Sequence, residues 1–221
     1  MKIKQLKNIT DKIRKYTKYD PPQPKNKMLP PNFNIVLSAS PKGGGKSYNC
    51  IQLLTNYEDS GFISEKGEDV RMRTIWISGG TSRSKQNSIL DSLKTLDDDD
   101  RIDVEENVDK KLKEVYEDVK MERDLIESYN VYRATYKKYM KSKKLSNLTL
   151  DELILLEWKR FIDPKDDADA PRDKDGNDLL HPRMVFLIID DLIGSDAFST
   201  NKRGNFLNRL AVKSRHESED L

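Results

Sequence analysis

Long apolar runs are what this 221-residue chain has least of. No stretch approaches the roughly 20 residues that a membrane-spanning helix needs, and the N-terminus lacks the apolar core of a secretory signal. Hydrophobic residues make up 35% of the chain and charged residues another 35%. Part of the chain is therefore expected outside any core, as solvated helix or loop. The one cysteine, Cys50, excludes a disulfide framework and a cysteine-built zinc site. Its position suits a buried, reduced thiol in a cytosol-like compartment. A dominant charge is missing too: 40 Lys and Arg against 38 Asp and Glu leave a net +2. Nucleic-acid binding has to be argued from local clusters instead. The length fits one decorated domain, expected to be soluble and intracellular.

What the chain does have is the segment Asn34 to Asn49, N-I-V-L-S-A-S-P-K-G-G-G-K-S-Y-N. Ile35, Val36 and Leu37 read as a short buried strand, and Ile51, Leu53 and Leu54 begin a helical pattern. Three glycines, Gly43, Gly44 and Gly45, lie between, followed by Lys46 and Ser47. Strand, glycine loop, Lys-Ser and helix form the order of a phosphate-binding loop. Glycines let backbone N–H groups approach phosphate oxygens, and the helix N-terminus adds the positive end of its dipole. The expected binding segment runs Ser40, Pro41, Lys42, Gly43, Gly44, Gly45, Lys46, Ser47 and Tyr48. Lys46 would reach the β and γ phosphates of ATP, and the Ser47 hydroxyl would ligate Mg²⁺. The usual loop begins with glycine where Ser40 stands here.

The rest of the chain divides by composition. Residues 1–31 form a basic arm and a proline-rich linker. Ile3, Leu6, Ile9 and Ile13 recur at helical spacing among lysines. This reads equally as an arm for DNA or a neighbouring subunit and as a helix packing on its own domain. Residues 32–96 hold the first part of the α/β core, including a second buried strand from Arg73 to Ser78. Arg83 and Lys85 follow it, either as phosphate or DNA contacts or as solvated charge.

Residues 97–163 are expected to be a helical insertion. The acid run Asp97 to Asp100 reads as a solvated break. Val104, Val108, Leu112, Val115, Val119, Ile126, Tyr129, Tyr136 and Tyr139 then recur in three- and four-residue steps among charges. That pattern predicts one very long helix, or two with a break near Ser128 to Asn130. Tyr136 to Tyr139 interleaves aromatics and lysines, as nucleic-acid stacking surfaces and solvated helix ends both do. Thr149 and Glu152 form a capping box before Leu153, in a helix expected to end at Pro164. Residues 164–182 read as an acidic, disordered or hairpin linker. Their D-K-D-G-N-D run is not a calcium loop, because Pro171 and Pro182 fall at ligand positions one and twelve.

Residues 183–221 complete the core. Met184 to Leu192, M-V-F-L-I-I-D-D-L, is apolar without alternation, as in a strand buried on both faces of a parallel sheet. It ends in Asp190, expected to hold Mg²⁺, and Asp191, expected to orient and polarise an attacking water. The fold class is thus α/β: a P-loop NTPase with a mostly parallel sheet flanked by helices and a long charged helical insertion. A helix from Asn205 follows, with Phe206, Leu207, Leu210 and Ala211 inward, leading to L-A-V-K-S-R-H.

Taken together, S-P-K-G-G-G-K-S, I-W-I-S-G-G, F-L-I-I-D-D-L and the pair Arg215-His216 resemble the DNA-packaging ATPases of large double-stranded DNA viruses and virophages. Those form the poxvirus-type branch of the FtsK–HerA superfamily. The resemblance covers roughly residues 30–95 and 183–216. It implies Mg²⁺-dependent ATP hydrolysis that drives viral double-stranded DNA into a capsid through a homo-oligomeric ring. Further implied are a capsid or portal-vertex partner, no membrane, and a location in the host cytoplasm or the virion. Arg215 would act on a neighbour's nucleotide. The sequence departs from that family in stopping five residues after His216. The resemblance places a further strand between Asn34–Leu37 and Val185–Ile189, so a gap or a borrowed strand is expected there. Two other readings are a nucleotide or small-molecule kinase and a non-catalytic ATP-binding remnant that works as an interaction protein.

Overall fold

The computed structural model describes residues 22–30, 44–79, 90–104, 107–190 and 206–207. The chain divides into two compact units, Met1–Tyr116 with Arg183–Leu221, and Glu117–Pro182. Residues 97–116, read from sequence as part of the insertion, thus belong to the first unit, and 164–182 belong to the second.

In the first unit, β1 (Gln23–Pro24) is followed by α1 (Lys46–Ser60), β2 (Phe62–Ile63), β3 (Asp69–Val70), β4 (Met72–Ser78) and β5 (Arg101–Asp103). The helix α2 (Val108–Ser142) starts in this unit and continues into the second, which also holds α3 (Leu150–Trp158). The chain returns to the first unit with β6 (Met184–Asp190). Among the described residues, β1, β2 and β3 form a small antiparallel sheet, and β5, β4 and β6 form a parallel sheet in that order. The architecture is mixed α/β, with a parallel three-stranded sheet and helices.

The periodicities explain these elements. β4 buries four consecutive residues, Thr74 to Ile77, as a central parallel strand does. β6 pairs with it over seven residues, Met72 opposite Met184 through Ser78 opposite Asp190. Phe186 is buried and its strand neighbours are half-buried, so β6 is less enclosed than its apolar run suggests. α1 turns Ile51, Leu54 and Tyr57 onto Phe62, Val70, Trp76, Leu90, Leu93, Leu96 and Phe186. The rings of Tyr57, Phe62 and Phe186 meet mutually, with centroids 5.2–5.8 Å apart. Each such side chain withdrawn from water contributes about 1.5–3 kcal/mol, which makes this cluster the centre of the unit. Gly61, at φ 65°, ends α1 with its N–H on the Tyr57 carbonyl. With ψ at 172°, this positive-φ extended conformation is open to glycine and very costly for other residues.

One expectation changes in this unit. The acid run is not simply solvated. Asp98–Asp100 form a 3₁₀ turn, and Asp100 is 5% exposed. Arg73 donates to it twice, Nε to Oδ2 at 2.9 Å and Nη2 to Oδ1 at 2.6 Å. A buried carboxylate needs such a partner, because desolvating it alone is expensive. The neighbouring layer is also polar: Glu58 accepts from the N–H of Thr95 at 2.9 Å, and the Thr74 and Thr95 hydroxyls lie 2.8 Å apart.

In the second unit α2 is one unbroken helix. All 35 of its residues are helical, with no break at Ser128 to Asn130. Tyr129 and Tyr132 pack with Leu156 and Ala170, and Tyr136, Tyr139, Leu155 and Phe161 close around them. The aromatics of the Tyr-Lys-Lys-Tyr run therefore face inward, and Tyr139 meets Phe161 edge-on at 5.3 Å. Both tyrosines are half-buried there. The capping box forms as expected, Thr149 accepting from Glu152 N–H and Glu152 from Thr149 N–H. The helix ends at Trp158, well before Pro164. Phe161 N–H bonds the Leu156 carbonyl and Arg160 N–H that of Glu157, the double closure of a Schellman turn. Arg160 takes the left-handed position at φ 52° in place of glycine. The turn directs Phe161 onto Tyr139, which offsets the strain.

The stretch 164–182, expected as a linker, is built into this unit. Asp167 is 4% exposed, Ala170 and Leu179 are buried, and Arg172 bridges Asp178 in antiparallel fashion around a tight turn at Gly176. Asp173, in the D-K-D-G-N-D run, accepts from the N–H groups of Asp175 and Asn177 at 3.0 and 2.8 Å. That run is an Asp-capped turn. The expected strand Asn34–Leu37 and the gap beside it lie outside the described residues, and so do Leu210 and Ala211. Phe206 and Leu207 are helical and half-buried; Phe206 N–H bonds the Asp109 carboxylate, and its ring meets Tyr116 edge-on at 5.4 Å.

Candidate functional site

The parallel pairing puts the C-terminal ends of β5, β4 and β6 along one sheet edge. Ser78 lies opposite Asp103 on one side and Asp190 on the other. Gly79 N–H reaches the Asp190 carbonyl at 3.2 Å, Val104 N–H reaches the Ser78 carbonyl at 2.9 Å, and the Ser78 hydroxyl donates to Asp103 Oδ1 at 3.1 Å. In open α/β sheets this edge is where ligands bind.

The N-terminus of α1 comes to the same edge. Gly45 precedes the helix at φ 73° and ψ 20°, with nothing within 4 Å of where a Cβ would project. It forms no side-chain cap, and the first turn contains no acidic residue, although carboxylates usually stabilise that end. Helical geometry begins at Lys46, with Asn49 N–H on the Gly45 carbonyl at 2.9 Å. Ser47, one residue on, donates its hydroxyl to Oδ2 of Asp190 at 3.2 Å. Lys46, Ser47 and Asp190 are half-buried, while Gly44, Gly45 and Tyr48 are exposed, Tyr48 at 60%.

Ser47 and Asp190 are therefore brought together, with Lys46 beside them on the same helical turn. Ser40, Pro41, Lys42, Gly43, Asp191 and Arg215 lie outside the described residues, as do Arg83, Lys85 and His216. Sequence reasoning missed Ser78 and Asp103, whose polar side chains share the edge with Asp190. The signal available for them was the polar end of each apolar strand. Cys50 also belongs to this neighbourhood, one turn along α1 from Ser47. Burial, then the nearby Asp190 carboxylate, raises its thiol pKa, so the thiol stays protonated at neutral pH.

The donor set suits Mg²⁺. A serine hydroxyl and a carboxylate are hard oxygen ligands, and Mg²⁺ is usually held by one or two carboxylates plus phosphate oxygens and water. Among the described residues no group of three or more His, Cys, Asp or Glu side chains converges. A cation here would need phosphate and water to complete its shell. Among the described residues no helix is long and apolar enough to cross a membrane. No protein-family model, curated protein or solved structure matches the chain.

Proposed function

We propose that the first unit is a P-loop ATPase core that hydrolyses Mg²⁺-ATP. The observation that carries this reading is the 3.2 Å contact from the Ser47 hydroxyl to Asp190. A glycine-loop serine beside a strand-end aspartate is the arrangement expected when the loop and the acidic strand form the two halves of one site. Gly45 in the left-handed region, the uncapped start of α1 and the parallel sheet edge support the same reading. Mg²⁺ held there would supply positive charge that offsets the charge developing on the transferred phosphoryl group. Lys46 binds the β and γ phosphates, Ser47 and Asp190 hold the metal, and Asp191 orients and polarises the attacking water. Arg215 acts on the nucleotide of a neighbouring copy.

The finer reading is a motor that moves viral double-stranded DNA into a capsid, working as a homo-oligomeric ring with a capsid or portal-vertex partner. Its support is the resemblance of the motif set to the packaging branch of the FtsK–HerA superfamily, above all Asp190-Asp191 together with Arg215-His216. The test is ATP hydrolysis by the purified chain with and without duplex DNA. A translocating ATPase is stimulated by DNA, and Lys46→Ala abolishes both basal and stimulated rates. Turnover indifferent to DNA but dependent on a small phosphoryl acceptor would instead make the protein a kinase. ATP binding without turnover would make it a remnant.

A further inference from the structure

The second unit exposes an apolar stripe. Leu150, Ile154 and Trp158 recur every fourth residue on α3 and are 72%, 55% and 72% exposed. Its opposite face is occupied, with Leu156 fully buried in the tyrosine cluster. A stripe of this kind covering one side of a short helix marks an interaction surface rather than scattered surface apolarity. At about 100° per residue, Glu157 and Asp151 fall on either edge of the stripe. Both are exposed, and α3 contains no lysine or arginine; Lys159, just past its end, lies 5.1 Å over the Trp158 ring but is paired with Asp167 and Asp169.

That charge selects the occupant. Two α3 stripes laid together would oppose their own carboxylates. A single basic amphipathic helix fits, its apolar face on the stripe and its cations on the flanking acids. The chain itself carries one such sequence. Residues 1–18, which lie outside the described residues, place Ile3, Leu6, Ile9 and Ile13 at helical spacing among seven lysines and arginines and one acid, Asp11.

We infer that the α3 stripe is the docking site for the basic arm, residues 1–18, of a second copy of this chain. The contact is heterologous, arm to stripe, so a joined pair keeps one free arm and one free stripe, and association can continue into a ring or a filament. The inference does not rest on nucleotide chemistry.

The test uses full-length chains in sedimentation velocity at low salt. One variant breaks the stripe (Ile154→Ser with Trp158→Ser) and another the arm (Ile9→Asp with Ile13→Asp). The parent is expected to associate with rising concentration and to dissociate as salt screens the charges. Each variant alone is expected to remain monomeric. An equimolar mixture should recover association but stop at a dimer, because one stripe and one arm remain. A third variant, Asp151→Lys with Glu157→Lys, alters only exposed groups and should also stay monomeric. The exposed Trp158 gives an independent signal over the buried Trp76: its emission should shift to the blue on association. A parent that is monomeric throughout, variants that associate like the parent, or a mixture that stays monomeric would each overturn the inference. Loss confined to the stripe variants would do so too, since it would mean stripe-to-stripe pairing.

Discussion

The Ser47 hydroxyl donates to Oδ2 of Asp190 across 3.2 Å of space and 143 residues of sequence. Ser47 is placed by the first turn of α1, and Asp190 by its register opposite Ser78 at the end of β6. Neither position depends on the other locally, so their meeting is a property of the fold.

The proposed ATPase chemistry predicts distinct phenotypes for Lys46 and Asp191. Lys46→Ala is expected to abolish hydrolysis and weaken ATP binding, because it removes the charge proposed to clamp the phosphates. Asp191→Asn should keep ATP binding and lose turnover by about 10²-fold or more, as removal of a group acting mainly in the transition state does. Steady-state rates beside equilibrium binding separate the two. Parental turnover by Asp191→Asn would remove that residue from the site.

The Arg73–Asp100 pair sets a stability prediction. The two side chains are 12% and 7% exposed. Asp100→Ala therefore takes from a nearly buried guanidinium the carboxylate that accepts two of its hydrogen bonds, at a cost of up to about 3–5 kcal/mol. Replacing both partners with apolar residues of similar size (Arg73→Met with Asp100→Leu) should cost far less. Urea unfolding of the three proteins decides it, and equal losses in the single and double variants would contradict the assignment.

Asp167 gives the second unit an acid-sensitive arm. Burial works against its charge, yet the Asp169 N–H, the Lys159 ammonium at 3.0 Å and the Tyr129 hydroxyl at 2.8 Å hold its pKa below the usual carboxylate range. A depressed folded pKa stabilises above the unfolded value, near pH 4, and that stabilisation is lost as pH falls through the folded value. At the other extreme burial, then the Asp167 charge, pushes Tyr132 up to about 12. Its contribution is complete below the unfolded value near pH 10 and is lost as pH rises through the folded one. Tyrosine circular dichroism against pH should show both limbs, and Asp167→Asn should flatten the acid limb. An unchanged acid limb in that variant would assign the loss to other carboxylates.

How much of this was legible depended on the range of the interaction. The capping box of Thr149 and Glu152 is written within four residues, and the structure forms it. Thr149→Ala is accordingly expected to cost about 1 kcal/mol by thermal unfolding. The helical period of α2 and the apolar runs of β4 and β6 were local in the same sense. The Arg73–Asp100 pair was not, because an aspartate run looks solvated until a strand 27 residues away supplies the cation. Nor was the end of α3. Its stop is a left-handed arginine held by the packing of Phe161, with no glycine to announce it. Asp167 and the inward turn of Tyr136 and Tyr139 were hidden for the same reason: each is defined by a partner from another element.

If the basic arm and the loop carrying Arg83 and Lys85 contact phosphates, duplex DNA affinity should fall steeply and linearly in log–log form with salt and show little sequence preference. Fluorescence anisotropy across a salt series reads this directly. Binding indifferent to salt, or absent at low salt, would argue against a translocating motor.

Equilibrium titration of ATP, with and without Mg²⁺, into the parent, Ser47→Ala and Asp190→Asn addresses the Ser47–Asp190 site most directly. The parent is expected to bind ATP more tightly with Mg²⁺ than without it. Each variant should lose that increment while keeping the metal-free affinity, because Lys46 and the helix start remain. Parental ATP affinity that is the same with and without Mg²⁺, or Mg²⁺-dependent binding that survives both substitutions, would mean that the serine and the aspartate meet for structural reasons and hold no metal.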